Sequence, residues 1–339
     1  MPHSLRHATG GRSGRPAQMA GARPPRRRAA AHDATDDATH GTTHDATHDA
    51  THDDPGPPCR ISVVVLTHNR CDALRHTLRQ LTELPERPPI VVVDNASSDA
   101  TVAMLAADFP QVSLLRAPAN LGAAGRNLGA AAACTPYVAF CDDDTWWHPG
   151  SLALSVALLE RHPTIGALSA RVLVGPECRD DPTCVRMGCS PLSSVGLPGR
   201  AILGLMAGAT VFRREAFQQA HGYHPRFFIG SEESLLSLDL AVLGWTMVYV
   251  PELVVHHHPS PLRESERRHQ LTLRNAIWCA WLRLPAFQAA SASLHGLPEL
   301  WRQGGWAACR DLLRGVPWVL RERRVVPPRV LAMQQLVAR

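Results

Sequence analysis

The sequence contains no lysine, so all 35 of its basic residues are arginines. That absence removes Schiff-base chemistry and the lysine of a triphosphate-binding loop from the functions open to this chain. Aromatic residues make up only 5%, and no apolar run reaches the ~20 residues that a bilayer span needs. The stretch from Ala276 to Leu297 comes nearest, but Arg283, Pro285 and Gln288 interrupt it. A G-x-G-x-x-G turn is also missing after the first apolar strand. Thr67-His68-Asn69-Arg70 stands there instead, which argues against a dinucleotide-binding domain and hydride transfer. No secretory apolar core precedes the nine cysteines, so reduced thiols and a cytoplasmic setting are expected. Cys178, Cys184 and Cys189 cluster, but their spacing fits no common zinc pattern and they read as loop residues.

What is present divides the 339 residues into three parts. Residues 1–58 open Arg-rich and pass into a His, Asp, Ala and Thr repeat. With almost nothing large and apolar to bury, this part reads as a disordered low-complexity tail. Residues 59–262 carry the apolar periodicity of a folded domain. Residues 263–339 are basic and contain Trp278, Trp281, Trp301, Trp306 and Trp318, with 13 Arg against 5 Asp or Glu from Arg263 onward. Amphipathic helices lying on a membrane and helices packed on the catalytic domain both fit this composition. Peripheral contact at the inner face of a membrane therefore stays open. Lipid headgroups and phosphorylated acceptors suit such a charge, and nucleic acid is not an expected partner.

The middle part alternates strand and helix. ISVVVLT (61–67) and IVVVDN (90–95) are β-branched runs of the kind covered on both faces. VSLLR (112–116) and YVAFC (137–141) read as further strands. Helices are expected between them, the first with Leu74, Leu78 and Leu81 on one face and the third from about Gly122 to Cys134. Beyond Pro149 come a helix to about His162, a strand near 165–174 and a long loop to about Gly199. AGATVFRR (207–214) reads as a strand entering a helix, 232–243 as a helix, TMVYVP (246–251) as a strand and LVVHHH (253–258) as extended. This is an α/β chain, with a mostly parallel, Rossmann-like sheet flanked by helices. Ligands of such sheets bind beyond the carboxyl ends of the strands. Thr67 to Arg70, Asp94-Asn95 and Asp142-Asp143-Asp144 all fall there.

The acidic triplet ends a buried strand. Adjacent carboxylates raise one another's pKa unless a cation is present, and oxygen-rich sites suit Mg²⁺ or Mn²⁺. In an extended segment Asp142 and Asp144 share a face and reach one ion together; a solvated acidic turn is the plainer reading. Glu232-Glu233 opens a predicted helix, where carboxylates either cap the N-terminus or serve as a general base. His256-His257-His258 ends a strand, and a neutral imidazole there is either structural or a metal ligand.

Seven segments then occur in a telling order: VVVLTHNR, VVVDNASSD, NLGAAGRNLG, FCDDDTWWHPG, AGATVFRREAF, FFIGSEE and VPELVVHHH. Between about Ile61 and Pro259 the chain resembles glycosyltransferase family 2, inverting nucleotide-sugar transferases of the GT-A fold. The resemblance implies that Thr67 and Asn69 line the base pocket and that Asp94, with Asn95 beside it, accepts a hydrogen bond from a uracil or thymine base. It implies that Arg126 approaches the base or diphosphate. Asp142 and Asp144 match the D-x-D motif that holds Mn²⁺ or Mg²⁺ and the ribose–diphosphate, with Asp143 between them on the donor. Glu233 takes the place of the catalytic base with Glu232 beside it, and His257 matches the late metal-associated histidine, with His256 and His258 as alternatives. Two departures stand out. The base position carries Glu rather than the commoner Asp, and Leu235 stands where a further acid is frequent, with Asp239 the next one along.

The function implied is transfer of a sugar from a UDP- or dTDP-linked donor to the hydroxyl of a glycan, lipid-linked or small-molecule acceptor. Cell-envelope polysaccharide is the implied setting. A nucleotide-sugar-binding protein without turnover is a rival on the same fold. A nucleotidyltransferase is another, but it usually presents a Gly-rich or Lys-containing loop that this chain lacks.

Overall fold

The computed structural model describes residues 59–259 and 265–338. The tail expected over residues 1–58 and the boundary expected near residue 262 lie outside them. Strands β1 (Ile61–Thr67), β2 (Ile90–Asp94), β3 (Ser113–Arg116) and β4 (Tyr137–Asp142) alternate with helices α1 (Cys71–Thr82), α2 (Thr101–Asp108) and α3 (Gly125–Ala132). Val63, Val64 and Val65 are consecutive and all 0% exposed, so both faces of β1 are covered, as a β-branched run in a parallel sheet requires. β1 pairs in parallel with β2 and β4, and β2 with β3. α1 buries Leu74, Leu78 and Leu81, the stripe expected of it.

The second half is built from β5 (Thr145–Trp147), α4 (Ser151–Arg161), β6 (Ile165–Val174), β7 (Arg179–Asp180), α5 (Pro182–Gly188), β8 (Arg200–Ile202), β9 (Thr210–Arg213), α6 (Arg214–Gln219), α7 (Glu232–Val242) and β10 (Thr246–His257). β9 inserts antiparallel between β4 and β6, giving the order β3-β2-β1-β4-β9-β6-β10-β5. The two extended segments expected around Pro251 are one strand, with a register shift between Val250 and Val254 where the proline cannot donate to the ladder.

The loop expected up to Gly199 contains α5, so Cys184 is a buried helical residue rather than a loop residue, its Sγ accepting from Val172 N at 3.2 Å. Asp181 caps that helix by accepting from Thr183 N, with Pro182 at the first helical position. This start signal is readable in the sequence. Cys178 and Cys189 are exposed, and all nine cysteines are free thiols.

The chain ends in α8 (Ser265–Arg283), α9 (Ala286–Arg321) and α10 (Pro328–Val337). α8 seats Trp278 against Trp318 of α9, ring centroids 5.2 Å apart, and Gly315 has no room for a Cβ beside the indole. Among the described residues no helix is long and apolar enough to cross a membrane.

Candidate active site

A cleft of about 700 Å³ opens at the carboxyl ends of β1 and β4. Thr67, Asn95, Arg126, Asp142, Asp143, Asp144, Glu232, Glu233 and His257 line it together, along with Arg70, Gly208, Arg268 and Thr272. Residues as far apart in sequence as Thr67 and Thr272 thus meet in one place. Asn69 and Asp94 stay out of the lining. Asn69 is exposed in the left-handed region at φ 53° and accepts from Ser98 N at 2.7 Å. Asp94 is fully buried and its oxygens accept from Ser97 N at 2.9 Å and Arg116 Nε at 3.3 Å.

The acidic triplet is not an extended run. β4 ends at Asp142, and Asp143 and Asp144 form the turn into β5. Asp142 consequently faces one arginine, while Asp143 and Asp144 share another. Asp142 pairs with the buried guanidinium of Arg126, which lies 5.7 Å from the centre of the Tyr223 ring. Asp143 accepts from Thr67 Oγ1 at 3.0 Å and stands 3.2 Å from Arg70 Nε. Asp144 accepts from Arg70 Nη2 at 2.9 Å. Gly208 makes the room: a Cβ there would lie 2.7 Å from the Asp142 carboxyl group. Burial pushes the Asp143 carboxyl up to about 7; Arg70 opposes this, while Asp144 and Asp142 add to it.

β5 pairs antiparallel with β10, placing His257 opposite Thr145, three residues after Asp142. Alternation along β10 then separates the three histidines. His257 Nε2 lies 3.6 Å from Asp144 Oδ1. His256 stacks on Trp146 at 5.5 Å and stands 3.1 Å from His148, and His258 meets Trp146 edge-on at 4.7 Å. His257 is the member of the triplet that lines the cleft. Its Nε2 is buried without a hydrogen bond.

Two carboxylate oxygens and an imidazole nitrogen form a donor set suited to Mn²⁺. Among the described residues no three such side chains already stand as a ligating group, and Arg126 and Arg70 pair with the carboxylates. The unbonded His257 nitrogen beside Asp144 fits a cation there.

Across the cleft, residues 228–231 deliver α7. Phe228, Gly230 and Ser231 all have positive φ, at 64°, 87° and 62°. This backbone is stapled to α8 by Asn275, fully buried, whose Nδ2 lies 2.7 Å from Phe227 O, 3.0 Å from Ile229 O and 2.7 Å from Gly230 O. Glu232 and Glu233 emerge from it as the first residues of α7. Burial raises both carboxyl groups, and Glu232 is pushed up to about 8, with Glu233 adding to the burial and Arg126 and Arg268 opposing it. The pair therefore titrates as a unit.

A second bridge ties the two walls together. Gly122, at φ 59°, lets the backbone come close enough for Ala123 N to donate to Phe228 O at 2.6 Å, and a Cβ on Gly122 would overlap that carbonyl. Asn95 Nδ2 donates to Gly122 O at 3.0 Å, fixing the same loop from β2.

Arg70 was expected only as part of the polar segment ending β1, without a partner, and Arg268 and Asn275 were not singled out in the sequence. A cation-rich start to α8 was visible as Arg267-Arg268, but nothing in the local pattern pointed it at the cleft. Replacing Asn275 by Ala removes this donor from the carbonyls of buried Phe227 and half-buried Ile229 and Gly230. It is expected to lower the unfolding free energy by about 1–3 kcal/mol in denaturant titration, and unchanged stability would show that the staple is dispensable.

Glu232 makes a second expectation about stability. Its carboxyl titrates near 4.5 when unfolded and near 8 when folded, so folding is progressively penalised as pH rises from about 4.5 to 8. Glu232→Gln removes that penalty. The variant's melting temperature should match the parent's near pH 4 and exceed it at pH 9; an equal gap at both would locate the effect elsewhere.

The family profile described as "Glycosyl transferase family 2" matches residues 62–234, just over half of the chain. An N-acetylglucosaminyl-diphospho-decaprenol L-rhamnosyltransferase of Mycobacterium tuberculosis is 29% identical over 232 residues, covering 58% of this chain and 76% of that protein. Among solved structures, GalNAc-T7 with UDP, GalNAc and Mn²⁺ superposes with a TM-score of 0.54 at 17% identity, over 68% of this chain but only 49% of its own. The mannosyltransferase PcManGT of Pyrobaculum calidifontis, in complex with GDP-Man and Mn²⁺, gives 0.53 at 20% identity, covering 82% of this chain and 84% of that one. S. aureus TarS 1-349 with UDP-GlcNAc gives 0.53 at 15%, covering 81% and 83%. At such identities these structures speak for the fold, which is that of GT-A glycosyltransferases. The profile match and the shared architecture lead to one assignment: the chain belongs to glycosyl transferase family 2 and is a nucleotide-sugar-dependent transferase.

Proposed function

We propose that the protein is an inverting transferase that moves a sugar from a UDP- or dTDP-linked donor to the hydroxyl of a lipid-linked or glycan acceptor. The observation that carries this reading is the opposition of two carboxylate groups across one cleft. Asp142 and Asp144 with His257 lie on the sheet side, and Glu232 and Glu233 on the α7 side.

Asp142, Asp144 and His257 would hold a Mn²⁺ or Mg²⁺ ion, which supplies charge neutralisation for the diphosphate. Thr67 and Asn95 sit where the nucleotide would lie, and Asn95 also shapes the loop before α3. Glu233 takes the proton of the acceptor hydroxyl. The hydroxyl oxygen bonds to the anomeric carbon from the face opposite the diphosphate, and the bond from that carbon to the diphosphate oxygen breaks. Arg126, buried beside Asp142, and Arg268 offer positive charge to the departing diphosphate. The raised Glu232–Glu233 pair keeps one proton at neutral pH, which limits repulsion between the two carboxylates while one of them acts as base.

A lipid-linked acceptor is favoured because the rhamnosyltransferase relative is named for one. Screening UDP- and dTDP-sugars for thermal stabilisation with Mn²⁺ present, then testing turnover of the best binder, addresses the proposal. Stabilisation without release of nucleotide in the presence of any acceptor would favour a binding protein on this fold.

A further inference from the structure

The 36-residue helix α9 contributes no side chain to the lining of the cleft, yet it carries a large part of the exposed apolar side chains among the described residues. Phe287, Leu294 and Trp301 are 71%, 73% and 56% exposed, and Trp306, Leu313 and Leu320 are 63%, 54% and 56% exposed. Each triplet is spaced by seven residues, which keeps its members within about 40° of one another around the helix. The non-helical Gly305, at φ 53° and ψ −145°, separates the two halves, so each has its own stripe. At about 100° per residue the buried Ala289 and Leu300 of the first half, and Gly315, Trp318 and Val319 of the second, lie about 120–160° round the helix from their stripes. That inward side packs on α8, where Gly296 meets Ile277 and Gly315 meets Trp278. The stripes therefore face away from the protein.

We infer that this outward face of α9 is a docking surface for an anionic lipid bilayer, with the helix lying in the plane of the headgroups. Charge selects the occupant. Exposed Arg302, Arg310, Arg314 and Arg321 flank the stripes, and residues 286–324 hold six Arg against three Asp or Glu. Apolar side chains on one face with arginines at its edges are the composition of an interfacial helix, and tryptophan suits the headgroup boundary.

A second copy of the chain fits less well. A helix pair needs a continuous seam of two apolar positions per heptad. Pro298 and Pro317 sit beside the stripes and Gly305 breaks the helix between them. Pairing would also bring arginines of one copy against those of the other.

α8 places Arg268 and Thr272 in the cleft and packs on α9, so the surface lies one helix layer from the site. The added consequence, that the cleft is held where a lipid-linked acceptor resides, rests on the proposed function. The docking itself does not.

The test uses the full chain with vesicles of equal parts phosphatidylglycerol and phosphatidylcholine, without donor or acceptor, so its outcome is independent of catalysis. The chain should float with these vesicles and not with pure phosphatidylcholine. The triple variant Trp301→Gln, Trp306→Gln, Leu313→Gln should partition about tenfold less or weaker still, the scale expected for losing large apolar side chains from an interface. Its melting temperature should be unchanged because all three side chains are exposed. A parent that stays in the soluble fraction, or a variant that floats equally well, overturns the inference. So does a parent that sediments as a dimer while the variant sediments as a monomer, since a second copy would then cover the face.

Discussion

Glu233→Gln is expected to leave donor affinity unchanged while transfer falls by ~10²-fold or more, the usual contribution of a positioned general base. Gln keeps the size and hydrogen-bonding capacity of the side chain but cannot take the acceptor's proton. Glu232→Gln should cost less, because Glu233 is the proposed base and Glu232 stands beside it at the start of α7. Asp239 is not a substitute base: its carboxylate is engaged by Arg283, with Nε at 2.5 Å and Nη2 at 2.9 Å. Steady-state rates of both single variants, with donor binding measured separately by calorimetry, decide the matter. A Glu233→Gln enzyme as fast as the parent would move the base elsewhere.

Affinity for UDP or dTDP should rise strongly with Mn²⁺ and collapse in EDTA, and Asp144→Asn should reduce the metal-dependent part by about 10–100-fold, the range known for losing even a supporting partner of a metal ligand. Asp142→Asn should do the same, and it also leaves the Arg126 guanidinium buried without its carboxylate, so a drop in melting temperature is expected alongside. Calorimetry with and without the chelator reads the first effect and thermal melts read the second. Equal nucleotide affinity in Mn²⁺ and in EDTA would remove the cation from the mechanism.

The parallel half of the sheet was legible because Val63 to Val65 and Val91 to Val93 leave no polar face to turn outward. The meeting of Thr67 with Asp142 to Asp144 was legible from their places at strand ends, whereas Glu232 and Glu233 were brought to the same site only by the resemblance to the family. Other features depended on pairing across long stretches of chain. The choice of His257 over its neighbours follows from β5 lying against β10, and the three-residue strand Thr145–Trp147 gives little periodicity to read. Arg70 reaches Asp144 across 74 positions and Asn275 reaches Phe227 across 48, distances at which no local pattern speaks. Asp94 was expected at the base pocket, yet its carboxylate turns back to cap Ser97 N, a local bond that strand-end position alone does not reveal.

The bond from Ala123 N to Phe228 O has a consequence for how this chain can vary. It ties the segment before α3, which carries Arg126, to the segment before α7, which carries Glu232 and Glu233. The two segments therefore cannot change length independently: an insertion in either one would shift a charged group on the opposite wall. The turn around Val195 and Gly196, where Val195 is 93% exposed and neither residue lines the cleft, is where added residues would be absorbed without disturbing the chemistry. Tolerance to insertion in this protein should be set by which loops are bonded to each other across the cleft, more than by how close a loop lies to it.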